Sequence, residues 1–210
     1  MISRTSRVTF FTILLFLLAF CSGCNNEAKR DANIAYISIN ENSQYKKTFK
    51  ELNLGILYDF NLRLTEADTS WVTLWVEGYK HGEPTEPFRL IELSYGSSLQ
   101  KVTEGPLGFG IIKSRAEEDP LFFLYSSGAS IPPRTMNNIF DTETARAIAW
   151  DFAIGDKELG LQSGEIKVLG VTREVDKIIK TYDYQDTDQI NQIIEEDLTV
   201  LLLKIKVERQ

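Results

Sequence analysis

Cysteine is nearly missing. The 210 residues hold two, Cys21 and Cys24, and both lie in the first 24. The rest of the chain has no thiol for a disulfide, a cysteine nucleophile or a thiolate zinc site, so it must be stable by core packing alone. Histidine is scarcer still. His81 stands alone in the breaker-rich stretch Lys80-His81-Gly82-Glu83-Pro84, which reads as a turn. A Ser-His-Asp triad or a histidine-rich metal cluster is hard to build around one imidazole, and a loop histidine without arranged partners does no catalysis. Positive charge is also in deficit, with 23 basic against 30 acidic side chains and a net charge of −7. Phosphate backbones are repelled by such a surface, and no Lys/Arg stripe is present, so nucleic acid is not an expected partner. Long apolar runs are absent too. The longest, residues 8–20, falls short of the roughly 20 residues that cross a hydrocarbon core comfortably.

What is present begins with that run. Arg4 and Arg7 precede it, with no acid, and Cys21-Ser22-Gly23-Cys24 closes it. A basic start, an apolar middle and small residues before a cut describe a secretory signal peptide over residues 1–23. Ser22 and Gly23 before Cys24 resemble the lipobox of bacterial lipoproteins, with Cys21 where that motif usually has leucine. The resemblance implies cleavage after Gly23 and a diacylglyceryl thioether on Cys24, the new N-terminus. Cys21 is the rival acceptor, but bulky Phe20 before it suits a cleavage site poorly. With this signal, the chain is similar to short lipoproteins of Bacillus-like Gram-positive bacteria. The expected address is the extracytoplasmic face of the cell membrane.

Residues 1–23 carry two basic side chains and no acid, which leaves 21 against 30, or −9, from Cys24 onward. Anionic headgroups would repel that body, so acyl chains must hold it; one chain anchors only marginally, and two or more make attachment durable. Residues 24–33 are polar and read as a tether. Residues 34–210 are expected to form a single β-rich domain, with 43% apolar and 11% aromatic content overall.

The clearest strand is residues 54–64, where Leu54, Ile56, Tyr58, Phe60, Leu62 and Leu64 share one face. Gly55, Asp59, Asn61 and Arg63 take the other, expected to be wet, and Leu57 is the exception. Residues 34–39, 71–79, 88–95, 107–113, 121–125, 166–172 and 198–207 also read as strands. Residues 80–87 read as a loop, 128–138 as irregular, and 114–120 as an acidic hairpin tip. Tyr45, Phe49 and Leu52 could line a helical turn or two. Residues 145–154 fit either period, and their strand-rich neighbours favour strand. The best helix is 186–197, capped by Asp186 with Gln189 three residues on, and striped by Ile190, Ile193 and Ile194. The expected fold is therefore mainly β: an antiparallel, immunoglobulin-like β-sandwich with one short helix near the C-terminus.

Few residues suggest chemistry. Asp183, Asp186 and Asp188, and the run Glu117-Glu118-Asp119, lack the glycine and distal glutamate of a calcium loop; a helix cap and a solvated tip explain them better. The glycines from Gly105 to Gly110 precede a strand and lack the lysine of a phosphate loop. No catalytic residue, metal site or cofactor is expected. The sharper hypothesis is Trp71, Trp75 and Tyr79, which share one strand face, with rings four residues apart spaced about 13 Å. Exposed, they would form a platform for a glycan or a partner peptide; covered, they would be core, the commoner use of aromatics. These features point to a lipid-anchored binding or structural module of the cell envelope, whose partners would be the membrane through Cys24 and an envelope protein or glycan. The alternative is an envelope carbohydrate hydrolase built on paired carboxylates. A two-domain solute receptor would need βα units, which are absent.

Overall fold

Among the described residues the chain's apolar alternation resolves into eleven strands and two helices. They are β1 (Asn33–Ile39), α1 (Gln44–Glu51), β2 (Gly55–Leu64), β3 (Ser70–Lys80), β4 (Glu83–Gly96), β5 (Thr103–Ile112), β6 (Leu121–Ser126), β7 (Ser130–Thr135), β8 (Ala147–Phe152), β9 (Leu159–Gln162), β10 (Ile166–Val175), α2 (Thr187–Glu196) and β11 (Thr199–Arg209). A computed structural model describes residues 32–113, 119–141, 147–176 and 178–210. The expectations for the signal peptide, Cys21, Cys24, most of the tether, and Glu117 and Glu118 lie outside the described residues.

Two antiparallel sheets pack face to face as a β-sandwich, one ordered β7-β6-β5-β2-β1-β9 and the other β4-β3-β11-β10-β8. Between them lie Tyr58, Phe60 and Leu62 of β2, Phe109 of β5, Leu74 of β3, and Leu203 and Ile205 of β11. Period-two patterning puts these side chains on one side of each strand. Tyr58 crosses the gap: its hydroxyl donates to the Val171 carbonyl at 2.6 Å and lies 2.8 Å from Thr172 Oγ1. Gly170 makes room for it, because a Cβ there would meet the Tyr58 ring.

β11 shows how a second layer rewrites the pattern. Val200 to Leu203 is apolar on both faces because α2 covers the outside, where Ile193 packs with Val200, Leu202, Val171 and Tyr184. Past that cover the strand alternates again, with Lys204 and Lys206 half-buried on the outside and Ile205 and Val207 in the core. Asp186 caps α2 by accepting from Asp188 N at 2.9 Å, and Gln189 Nε2 donates to its carboxylate at 3.1 Å.

β8 is a strand, as its neighbours suggested, and it ends its sheet. Three other segments differ from expectation. Residues 83–87 and 130–135, read as loop and irregular chain, belong to β4 and β7. Both strands lie at sheet edges, where Pro84, Pro87, Pro132 and Pro133 need not supply ladder N–H groups. A second helix, α1, follows β1 and lies on the outer face of β2.

Candidate functional site

The tryptophan strand comes first. Trp75 is 1% exposed. Its indole Nε1 donates to Glu77 Oε1 at 2.8 Å, and the Arg89 guanidinium lies 4.4 Å from its ring centroid. Glu77 also accepts from Lys204 Nζ at 2.6 Å and from the Tyr79 hydroxyl at 3.3 Å. Burial first, then the Glu77 charge, pushes the Tyr79 hydroxyl up to about 12. Tyr79 meets Phe88 edge-on at 5.4 Å, and half-buried Trp71 lies where a Cβ on Gly96 would fall. The three rings therefore do not form an open platform. Side chains from β4 and β11, far apart in sequence, close over Trp75.

His81 occupies the β3–β4 turn with φ +52°, and its N–H donates to the Leu198 carbonyl at 2.9 Å. Asp183 accepts from Gln185 N at 2.9 Å and Asp186 caps α2, so these two aspartates are engaged in turn and cap bonds. Among the described residues no three His, Cys, Asp or Glu side chains gather closely enough to hold a metal ion.

The more informative region surrounds α1, and it is built by glycine. On β5, Leu107, Phe109 and Ile111 point inward, which turns Gly108 and Gly110 outward. In register across the sheet, Asp59, Gly108 and Tyr125 form one row, and Leu57, Gly110 and Phe123 the next. The Tyr125 and Phe123 rings lie over the glycines, where any Cβ would overlap them. α1 then rests on the rings, with Tyr45 edge-on to Tyr125 at 5.6 Å and Phe49 against Phe123 at 5.8 Å. Ser43 caps the helix, its hydroxyl oxygen accepting from Tyr45 N at 3.0 Å and Lys46 N at 3.2 Å.

That cover reverses one expectation. Asp59, placed on the wet face by alternation, is 0% exposed, and Leu57 is buried beside it. Burial raises the Asp59 carboxyl above its ordinary value, while Ser43, Tyr125 and Lys46 pull it partly back. Its Oδ1 and the Tyr125 hydroxyl are both buried without closing a hydrogen bond.

Clefts flank α1. One, of about 770 Å³, lies between the helix and β8 and is lined by Lys46, Lys47, Lys50, Glu41, Gly55 and Trp150. Trp150 is 46% exposed, and Lys46 Nζ sits 4.8 Å from the centroid of the Phe152 ring. A smaller hollow of about 260 Å³, with Ile148, Phe140 and Lys113, shares Trp150 as a wall. On the far side of α1 an apolar groove of about 500 Å³ runs along Tyr45, Phe49, Pro106 and Phe123. Sequence reasoning passed over Lys46, Lys50 and Trp150. Their sequence separation is about 100 residues, and only the pattern Lys46-Lys47-x-x-Lys50 in an acidic chain hinted at them.

No protein-family model, curated protein or solved structure matches the chain.

Proposed function

We propose that this chain is an extracytoplasmic lipoprotein, tethered through lipid on Cys24, whose β-sandwich serves as a binding module of the cell envelope. The cleft between α1 and β8 is its ligand seat. One observation carries this reading: on a chain of net charge −7, three lysines and a half-exposed tryptophan line a single recess. Exposed tryptophan supplies contact area at little entropic cost, and clustered lysines attract negative charge. The ligand expected there is anionic. The signal-like first 23 residues support the envelope address.

The test is charge reversal in the cleft. The full chain in detergent micelles should be retained on isolated cell-envelope material, and Lys46→Glu with Lys50→Glu should release it several-fold more easily at unchanged melting temperature. Unchanged retention would move the seat elsewhere on the molecule.

A further inference from the structure

Among the described residues four strands end the two sheets, and three of them are blunted. β7 carries Pro132, Pro133 and Arg134, β9 has four residues, and β4 carries Pro84 and Pro87 and twice shifts register against β3. Proline, short length, charge and irregular register are the usual protections of an exposed edge. β8, with the sequence Ala-Ile-Ala-Trp-Asp-Phe, has no proline and no lysine. Its one charge, Asp151, sits between Trp150 and Phe152.

The direction of its free groups follows from one bond. Ala153 N donates to the Leu169 carbonyl of the β10 side at 2.8 Å. Backbone polarity alternates along an antiparallel strand, so Asp151 and Ala149 face β10 while Phe152, Trp150 and Ile148 offer their N–H and C=O outward. Among the described residues no strand pairs with that side of β8.

We propose that the free margin of β8 is a strand-addition site for an extended acidic segment of a partner protein, which lies beside α1 in the cleft described above. This rests on the reading of that cleft as a ligand seat. Alternate side chains of an added strand would fall on the face of Trp150 and Phe152, where Lys46 is already placed. Lysines 46, 47 and 50 favour carboxylates there, and the acidic remainder of the chain disfavours them elsewhere. A peptide matches the outward backbone row of β8, which repeats every two residues. A glycan has no such row of alternating donors and acceptors.

The full chain in detergent micelles is titrated with four probes, read by tryptophan fluorescence. These are an alternating Glu-Val octapeptide, its Lys-Val counterpart, the Glu-Val peptide N-methylated on alternate amides, and polygalacturonate as an anionic polysaccharide. Glu-Val should bind, and the Lys-Val and N-methylated peptides should each be weaker by about tenfold or more. Trp150→Pro removes one outward N–H and spares the β10 ladder; it should bind about tenfold more weakly than Trp150→Ala. For these two variants the readout is a fluorophore on the peptide. If Trp150→Pro fails to fold, the N-methylated peptide still decides. Equal affinity for the methylated and unmethylated peptides, or equal affinity of the proline and alanine variants, would overturn strand addition. Binding of polygalacturonate without peptide would also overturn it while keeping the cleft as a ligand seat. Binding of no probe overturns it as well, and the envelope-retention result then separately decides whether the cleft reading falls.

Discussion

The hydroxyl of Tyr125 lies over Gly108 and faces the carboxylate of Asp59, which stands on the neighbouring strand in the same row. Burial and that carboxylate together hold the Tyr125 hydroxyl well above the usual tyrosine range. The contact exists because β5 has no side chain between them. Glycine thus acts as a spacer that lets rings lie flat and a helix dock on top.

Gly110→Ala tests that arrangement. The new methyl would collide with the Phe123 ring, which cannot move outward without displacing Phe49 and α1. A loss of about 1–3 kcal/mol is expected, as for other overpacked sites. Urea denaturation measures it, and pairing the change with Phe123→Ala should recover part of the loss. No recovery would show that the ring is not the obstacle.

Asp59 predicts a pH dependence. Its carboxyl is raised in the folded protein, chiefly by burial, whereas in the unfolded chain it ionises near the ordinary 3.8. The folded state therefore binds the proton more tightly, and this group's contribution is full below 3.8 and lost as pH rises through the folded value. Asp59→Asn should accordingly gain stability relative to the parent protein as pH rises from about 4 to 7. Denaturation midpoints of both proteins across that window check it; a difference independent of pH would mean that Asp59 is not perturbed.

Trp75→Ala should cost about 3–5 kcal/mol, the scale for a large buried ring. It also strips Glu77 of an indole donor and Arg89 of its stacking partner. Trp71→Ala should cost less, because Trp71 is only half-buried. Thermal unfolding of the two variants compares them directly, and near-equal melting temperatures would return Trp75 to the surface.

How far these features could be read beforehand depends on the distance over which they are built. β2, β3 and β11 were legible because a strand's inner face is written in its own alternation. α2 was legible because its cap and stripe are local. α1 was less so. Its eight residues carry two aromatic contacts and leave Leu52 exposed, so the local pattern is thin. Asp59 was misplaced, and Trp75 was left open between platform and core, for a shared reason: each sits on a nominally outer face that another element covers, α1 for one and β4 for the other. The Lys46–Trp150 cleft left only the lysine pattern of α1 as a local hint, since its walls come from opposite halves of the chain.

β11 lies in the middle of its sheet, hydrogen-bonded to β3 on one side and to β10 on the other. A polypeptide emerging N-terminus first from a ribosome cannot close that sheet until Thr199–Arg209 has been synthesised. The β4-β3 and β10-β8 pairs made before then lack their common neighbour, and half the core lacks its lid. Joining the two halves of this sheet therefore has to wait for Thr199–Arg209.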